Sequence, residues 1–177
     1  MLKQRVITGL IMAGLFLASV AYLSLPILAL LFGVLIAAGA WEWSRLAGWL
    51  SPVARAVFVA LAVLLLVALY FYCQLYSEPP REQVQPFLGL ACLWWSFALL
   101  WVRSYPASAG LWSHRVMRSM IGLLILVPGW LASVYLLSFP GGALLVVMLV
   151  IIVAAADVGA YFTGKALGKH KLAPAVS

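Results

Sequence analysis

Six long apolar stretches dominate this sequence and constrain its fold more than any other feature. About 20 apolar residues in a helix cross the roughly 30 Å hydrocarbon core of a membrane, because each residue advances the helix by about 1.5 Å. Ser24-Leu25-Pro26 divides the first apolar region, since proline is tolerated at a helix start and disfavoured in its interior. We therefore expect membrane helices at about residues 6–23, 26–42, 56–76, 86–102, 119–137 and 143–162.

The composition excludes a soluble fold. Of the 177 residues, 67% are hydrophobic and 8% charged, whereas soluble domains have about 45–50% apolar and 25% charged residues. The sequence thus predicts an all-α fold, a polytopic transmembrane helix bundle forming one membrane domain over residues 1–177. The first stretch, after Lys3 and Arg5, could alternatively be a signal peptide. That alternative is disfavoured because the stretch leads directly into another apolar segment.

The lysines and arginines separate into two groups along the chain. Ten of the 11 lie in the N-terminus, the connections 43–55 and 103–118 and the C-terminal tail, and the other is Arg81. Connections that stay in the cytoplasm carry an excess of Lys and Arg. The distribution predicts that both termini are cytoplasmic.

The net charge of +7 results mainly from the scarcity of acids, of which there are four. The basic residues lie between apolar stretches and form no single polar face, so nucleic acid is not an expected partner. Anionic lipid headgroups or a phosphorylated substrate fit this pattern better. Cys73 and Cys92 lie in apolar segments, and we expect them to be packed or lipid-facing small side chains.

Asp157 is the residue that most needs an explanation. It follows the apolar run 150–156, and an ionised Asp at the centre of a membrane helix costs roughly 2.5–3.5 kcal/mol on insertion scales. If the helix continues past residue 162, one face carries several residues of small, aromatic or charged type. These are Asp157, Tyr161, Gly164, Lys165 and Gly168, and further positive charge follows at Lys169, His170 and Lys171.

Two interpretations of this face stay open at the level of pattern. A carboxylate that binds a metal ion beside lysines that bind phosphate oxygens suits phosphoryl or nucleotidyl transfer. Alternatively, Gly164 and Gly168 form a packing motif of small residues, and the lysines only anchor the helix at the cytoplasmic surface.

Two other polar groups carry weaker signals. Glu42 and Arg45 could form an ion pair three residues apart, although an interfacial belt of Trp41, Trp43 and Trp49 explains this segment more simply. The second group consists of His114, Arg115 and Arg118 and is typical of a basic cytoplasmic loop that contacts lipid phosphates.

The C-terminal segment resembles a known family. Residues 156–177, ADVGAYFTGKALGKHKLAPAVS, are similar to the segment D-x-x-A-Y-x-x-G-[KR]-x-[FL]-G-[KR]-[HT]-[KP]-L-x-P-x-[IV]-S of bacterial phosphatidate cytidylyltransferases, also called CDP-diacylglycerol synthases. Residues 2–9 and the Glu42-Trp43 pair also resemble the N-terminal half of that family.

The resemblance implies a multi-pass enzyme of the bacterial inner (cytoplasmic) membrane that acts in phospholipid biosynthesis. Such a nucleotidyltransferase transfers CMP from CTP to phosphatidic acid with Mg²⁺, giving CDP-diacylglycerol and pyrophosphate. It implies that Asp157 is catalytic and helps to organise the metal or the nucleotide. The substrate-binding residues it implies are Tyr161, Gly164, Lys165, Gly168, Lys169, His170 and Lys171. The expected partners are CTP, phosphatidic acid and membrane lipids, and a homodimer is an open alternative.

The family has a second, C-terminal signature that these 177 residues do not contain. The resemblance therefore implies that this chain corresponds to the N-terminal portion of the enzyme. We expect the chain to be inactive alone. The alternative is a non-catalytic membrane protein or small transporter subunit. A transporter is expected to have polar or broken positions in several helices, whereas here only Pro128-Gly129 and Asp157 qualify.

Overall fold

The protein, described as a computed structural model over residues 2–77 and 81–168, is all-helical within those ranges. This confirms the predicted fold class of a polytopic helical membrane protein. The elements are α1 Leu2–Tyr22, α2 Leu25–Leu46, α3 Pro52–Tyr72, α4 Arg81–Arg103, a 3₁₀ helix Ala107–Trp112, α5 Arg115–Leu137 and α6 Gly142–Leu167. Five of the described helices, α2 to α6, are long and apolar enough to cross a membrane, and the apolar part of α1, Ile7–Tyr22, is shorter.

Prolines mark the start of α2, as expected from the sequence, and the start of α3, which begins at Pro52 instead of the predicted residue 56. Pro26 and Pro52 lie in the first turns of these helices, each after a serine in extended conformation. The first N–H groups of a helix have no intrahelical acceptor, so a residue that lacks an N–H costs little there. The predicted division of the first apolar region between α1 and α2 is confirmed.

Several helix ends differ from the predicted positions. α4 begins at Arg81, before the predicted start at Pro86, and α5 begins at Arg115 instead of residue 119. The expected ends were placed where the apolar residues end. A helix is defined by its hydrogen-bond ladder, and its first turn tolerates charged residues in water. For α3 the predicted helix is too long at its C-terminus, because the helix ends at Tyr72 and not at residue 76. Just beyond this end, Gln74 has a positive φ of 50°, which is not helical.

α5 is the central helix of the bundle, and it packs against α2, α3, α4 and α6. Its buried side chains include Val127, Trp130 and Leu131. Trp130 donates its indole N–H to the carbonyl oxygen of Ala29 in α2 at 3.0 Å. Ala29 is a small residue, which permits the close approach of the two helices that this hydrogen bond requires.

Two further indole contacts join α5 to the last turn of α2 and to the connection that follows it. Trp43 donates to the carbonyl oxygen of Arg118 at 2.8 Å, and Trp49 donates to the hydroxyl of Ser119 at 2.8 Å. A Cβ atom at Gly122 would lie 2.2 Å from Nε1 of Trp43, so this position has no room for a side chain. Glycine at 122 therefore allows the Trp43 indole to lie directly against α5.

These contacts bring the connections 43–55 and 103–118 to one end of the bundle, which we call the basic end. Its described arginines are Arg45, Arg55, Arg103, Arg115 and Arg118. The remaining arginine, Arg81, lies at the opposite end, where its guanidinium is 6.0 Å from the ring of Phe139. The separation of arginines expected from the sequence is therefore present in the tertiary structure.

The two cysteines agree with their expected structural role. Cys73 lies just beyond α3 and is fully buried, and burial raises the pKa of its thiol. Cys92 is exposed on the apolar helix α4, as expected for a side chain that faces lipid.

Gly122→Ala should destabilise the bundle, because the new methyl group must displace the indole of Trp43. Overpacking of this kind costs about 1–3 kcal/mol, and we expect a lower Tm in thermal unfolding of the detergent-solubilised protein. Gly89→Ala in α4 is the matched control, since a Cβ atom there meets nothing within 4 Å. Equal Tm values for the two variants would show that Trp43 does not pack against α5 in this way.

Candidate functional site

Helix α6 carries the candidate site and is held to the bundle mainly through its first turns. Its buried residues are Gly142 and Val146. A Cβ atom at Gly142 would lie 2.1 Å from the carbonyl oxygen of Leu136, so the turn from α5 to α6 is tight enough to require glycine. Because the chain reverses at this turn, α6 runs back towards the basic end, where α5 begins.

The second half of α6 presents the predicted site residues. The helix continues to Leu167, five residues past the predicted end at 162, so the condition for a shared face beyond that residue is met. Asp157, Tyr161 and Lys165 are all exposed, and they recur at intervals of four residues along the helix. At about 1.5 Å per residue, Tyr161 lies about 6 Å and Lys165 about 12 Å beyond Asp157 along the axis. Lys169, His170 and Lys171 lie outside the described residues.

Gly168 has a different place from the one expected. It does not extend the helical face, because it is the C-cap of α6, with φ −69° and ψ 97°. Its N–H donates to the carbonyl oxygen of Gly164 at 3.1 Å. A Cβ atom at residue 168 would lie 2.2 Å from that oxygen, so glycine permits this compact helix end.

Gly164 is open on its outer side. A Cβ atom there would have no neighbour within 4 Å. Within residues 2–77 and 81–168, no other helix uses Gly164 as a packing surface, so this part of the chain provides no support for the small-residue packing interpretation. The open backbone leaves room for a ligand to approach Gly164.

Asp157 has no hydrogen-bond or ion-pair partner among the residues that the structure describes. In the same residues, no group of three or more His, Cys, Asp or Glu side chains is close enough to hold a metal ion. Mg²⁺ is usually bound through one or two carboxylates together with substrate phosphates and waters. Asp157 offers one carboxylate of this kind, and the Mg²⁺ site that the resemblance implies stays a prediction.

Lys165 adds positive charge beyond this carboxylate. It lies in the last turn of α6, where the partial negative charge of the helix C-terminus favours a cation. An exposed ammonium group at this position can bind phosphate oxygens. The described part of the face therefore combines one carboxylate, one ammonium group and an open stretch of backbone.

The weaker sequence predictions have mixed outcomes. Glu42 and Arg45 form no ion pair in the described structure, whereas the tryptophans of this segment make specific contacts. The guanidinium carbon of Arg55 lies 3.9 Å from the ring centroid of Trp41. Trp43 and Trp49 donate hydrogen bonds to α5, as described above. His114 is exposed at the N-cap of α5 and makes no side-chain capping bond.

Sequence reasoning missed a cavity at the basic end. The cavity has a volume of about 370 Å³ and lies between α2, α4 and α5. Tryptophans form much of its wall, and Arg118 also lines it. The spacing of Trp94 and Trp101, two helical turns apart, was the available signal that one face of α4 is aromatic.

Comparison with known proteins identifies the family. The model of the cytidylyltransferase family matches residues 3–177. This chain belongs to that family. A phosphatidate cytidylyltransferase of Pseudomonas aeruginosa is 42% identical over 177 residues, which are the whole of this chain and 62% of the relative.

A second relative, a phosphatidate cytidylyltransferase of Haemophilus influenzae, is 34% identical over 189 aligned residues, which cover all of this chain and 65% of that protein. The chain thus spans slightly less than two thirds of the length of these cytidylyltransferases. No solved structure matches it.

Asp157→Asn and Lys165→Gln should leave the stability of the 177-residue chain unchanged within about 0.5 kcal/mol, because neither side chain has a described partner. Trp130→Phe should lower stability by about 1 kcal/mol, because the buried indole loses its bond to Ala29. Thermal unfolding in detergent compares the three variants. If Asp157→Asn lowers the stability of the protein as much as Trp130→Phe does, Asp157 has a structural role.

Proposed function

We propose that the protein to which this chain belongs transfers CMP from CTP to phosphatidic acid, forming CDP-diacylglycerol and pyrophosphate. The observation that carries the proposal is the family match over residues 3–177, which includes the whole polar segment that begins at Asp157. The two relatives named phosphatidate cytidylyltransferase support the same substrate pair. Family membership also favours an enzyme over a non-catalytic protein or transporter subunit.

The reaction is a displacement at phosphorus. An oxygen of the phosphatidate phosphate forms a bond to the α-phosphorus of CTP, and the bond from that phosphorus to the bridging oxygen of the β-phosphate breaks. Pyrophosphate leaves with the electron pair of the broken bond. Both reactants are anionic, so the protein must reduce their mutual repulsion and hold them in line.

The residues of α6 suit this task. Asp157 provides one carboxylate ligand for Mg²⁺, which when bound offsets charge on the phosphate oxygens. Lys165 binds phosphate oxygens about two helical turns further on, and Lys169, His170 and Lys171 are proposed to extend the same positive charge. Gly164 leaves the backbone open to the nucleotide, and Tyr161 borders this opening.

We propose the bacterial inner membrane as the location, with the basic end in the cytoplasm. The excess of arginine at this end supports that orientation, and CTP is a cytoplasmic substrate. Lys165 lies on the same side, because α6 returns to the basic end. Association into a homodimer stays a prediction.

Asp157→Asn should lower CTP-dependent turnover by about 100-fold or more, because the loss of a charged metal ligand removes charge stabilisation from the transition state. The variant is made in the protein expressed from its complete reading frame, and the measurement is CDP-diacylglycerol formed from labelled CTP in isolated membranes. Glu82→Gln, a carboxylate in the first turn of α4, is the matched control and should retain wild-type turnover. A wild-type rate for Asp157→Asn would remove Asp157 from the site.

The orientation can be tested with single cysteines in a Cys73→Ala, Cys92→Ala background. Ser51 and Ser77 are both exposed and lie in connections at opposite ends. A membrane-impermeant maleimide should label Ser77→Cys in spheroplasts and Ser51→Cys only in inverted vesicles. The reverse pattern would place the basic end outside the cytoplasm.

A further inference from the structure

The aromatic cavity at the basic end has the dimensions of a ligand site. Its volume of about 370 Å³ falls within the range of about 300–1,000 Å³ typical of small-molecule pockets. α2 and α4 both pack against α5, and the cavity lies in the space between them. Ile121 and Ile125 of α5 form its floor, and Trp94 and Trp101 line it from α4.

The two tryptophans of α4 make a rigid apolar wall. Their ring centroids are 5.7 Å apart and their planes are nearly perpendicular, at 86°. They are seven positions apart in α4, so their Cα atoms are separated by about 10 Å along the helix axis and the two rings converge. The Nε1 atom of Trp94 is buried and has no hydrogen-bond partner in the described residues. The wall is suited to an extended apolar group and can donate one hydrogen bond.

Arg118 gives the cavity its charge. Among the described residues that line it, Arg118 is the one with a charged side chain. Nε of Arg118 donates to the carbonyl oxygen of Trp112 at 3.3 Å, and this bond holds the guanidinium at the cavity. Its two terminal nitrogens have no hydrogen-bond acceptor within the described ranges. An anionic partner stabilises a half-buried guanidinium, so Arg118 suits the binding of an anion at this cavity.

The surroundings of the cavity also favour an anion. The basic end carries five described arginines, and only two described acids, Glu42 and Asp157, lie on the same side of the bundle. Such a cluster at the surface of a membrane attracts anionic lipid headgroups. The ligand that fits must therefore combine an extended apolar part with a negatively charged head.

We propose that this cavity binds one anionic phospholipid, with an acyl chain along Trp94 and Trp101 and the headgroup phosphate at Arg118. This site is separate from the face of Asp157, and its occupation does not depend on the proposed reaction. A second apolar groove, between α2 and α3, has a similar volume of about 360 Å³. No charged residue lines that groove, so it provides an internal control for apolar binding alone.

Native mass spectrometry of the detergent-solubilised 177-residue chain, titrated with single lipids, measures the Kd for the first bound lipid. The probes are dioleoyl phosphatidate, dioleoyl phosphatidylglycerol and dioleoyl phosphatidylcholine, and inorganic phosphate serves as competitor. Both anionic lipids should bind about tenfold or more tightly than phosphatidylcholine, because the zwitterion has no net charge for Arg118. Phosphate should compete weakly, since it cannot fill the apolar cavity.

Arg118→Gln should raise the Kd of the anionic lipids about tenfold and leave that of phosphatidylcholine unchanged. The indole of Trp43 binds the backbone oxygen of residue 118, so the substitution keeps that contact. Arg81→Gln at the opposite end is the matched charge control and should bind like the wild type. Folding of each variant is checked by circular dichroism and gel filtration, and Arg118→Met, which also removes the charge, replaces Arg118→Gln if that protein does not fold.

Filling the cavity tests the acyl-chain part of the proposal. Ile125→Trp from α5, or Ala98→Phe from α4, should raise the Kd of every lipid, whereas Val67→Trp in the uncharged groove should not. Equal affinities for anionic and zwitterionic lipids would overturn the proposal. So would unchanged binding to the Arg118 variants or to both cavity-filling variants. None of these outcomes depends on cytidylyl transfer, so failure here is distinct from failure of the proposed reaction.

Discussion

The close packing of α2 against α5 is the contact on which the rest of the bundle depends. In a membrane, helices gain little by burying apolar side chains, because lipid tails are equally apolar. Their association depends on close approach and on hydrogen bonds between helices. Here two indoles supply those bonds: Trp130 donates to Ala29, and Trp43 donates to the backbone of Arg118. Gly122 makes the second bond possible by leaving space for the ring.

The position of α5 determines the positions of both candidate sites. α4 and α6 also pack against α5, so the aromatic wall of α4 and the polar face of α6 are placed relative to the same helix. The tight turn at Gly142 directs α6 back to the basic end. Lys165 and the arginines of the basic end thus lie on one side of the bundle, where anionic reactants and anionic lipids meet the membrane surface.

The two sites use charge differently. On α6, Asp157 and Lys165 have no described partners and can interact with a metal ion and phosphates that arrive with substrate. In the aromatic cavity, Arg118 is held by a backbone carbonyl and lies against apolar walls. The first arrangement agrees with the proposed binding of charged reactants, and the second with the proposed binding of an amphipathic lipid.

The sequence by itself determined the helical membrane fold, the break at Ser24–Pro26 and the spacing that places Asp157, Tyr161 and Lys165 on one helical face, because hydropathy, proline and helical periodicity are local properties. Tertiary structure decided that α4 begins at Arg81, that Gly168 caps α6 and that Trp43 fits against Gly122. It also formed the cavity at Arg118. That cavity depends on the distance between α2 and α4, and contacts between residues far apart in the chain set such a distance.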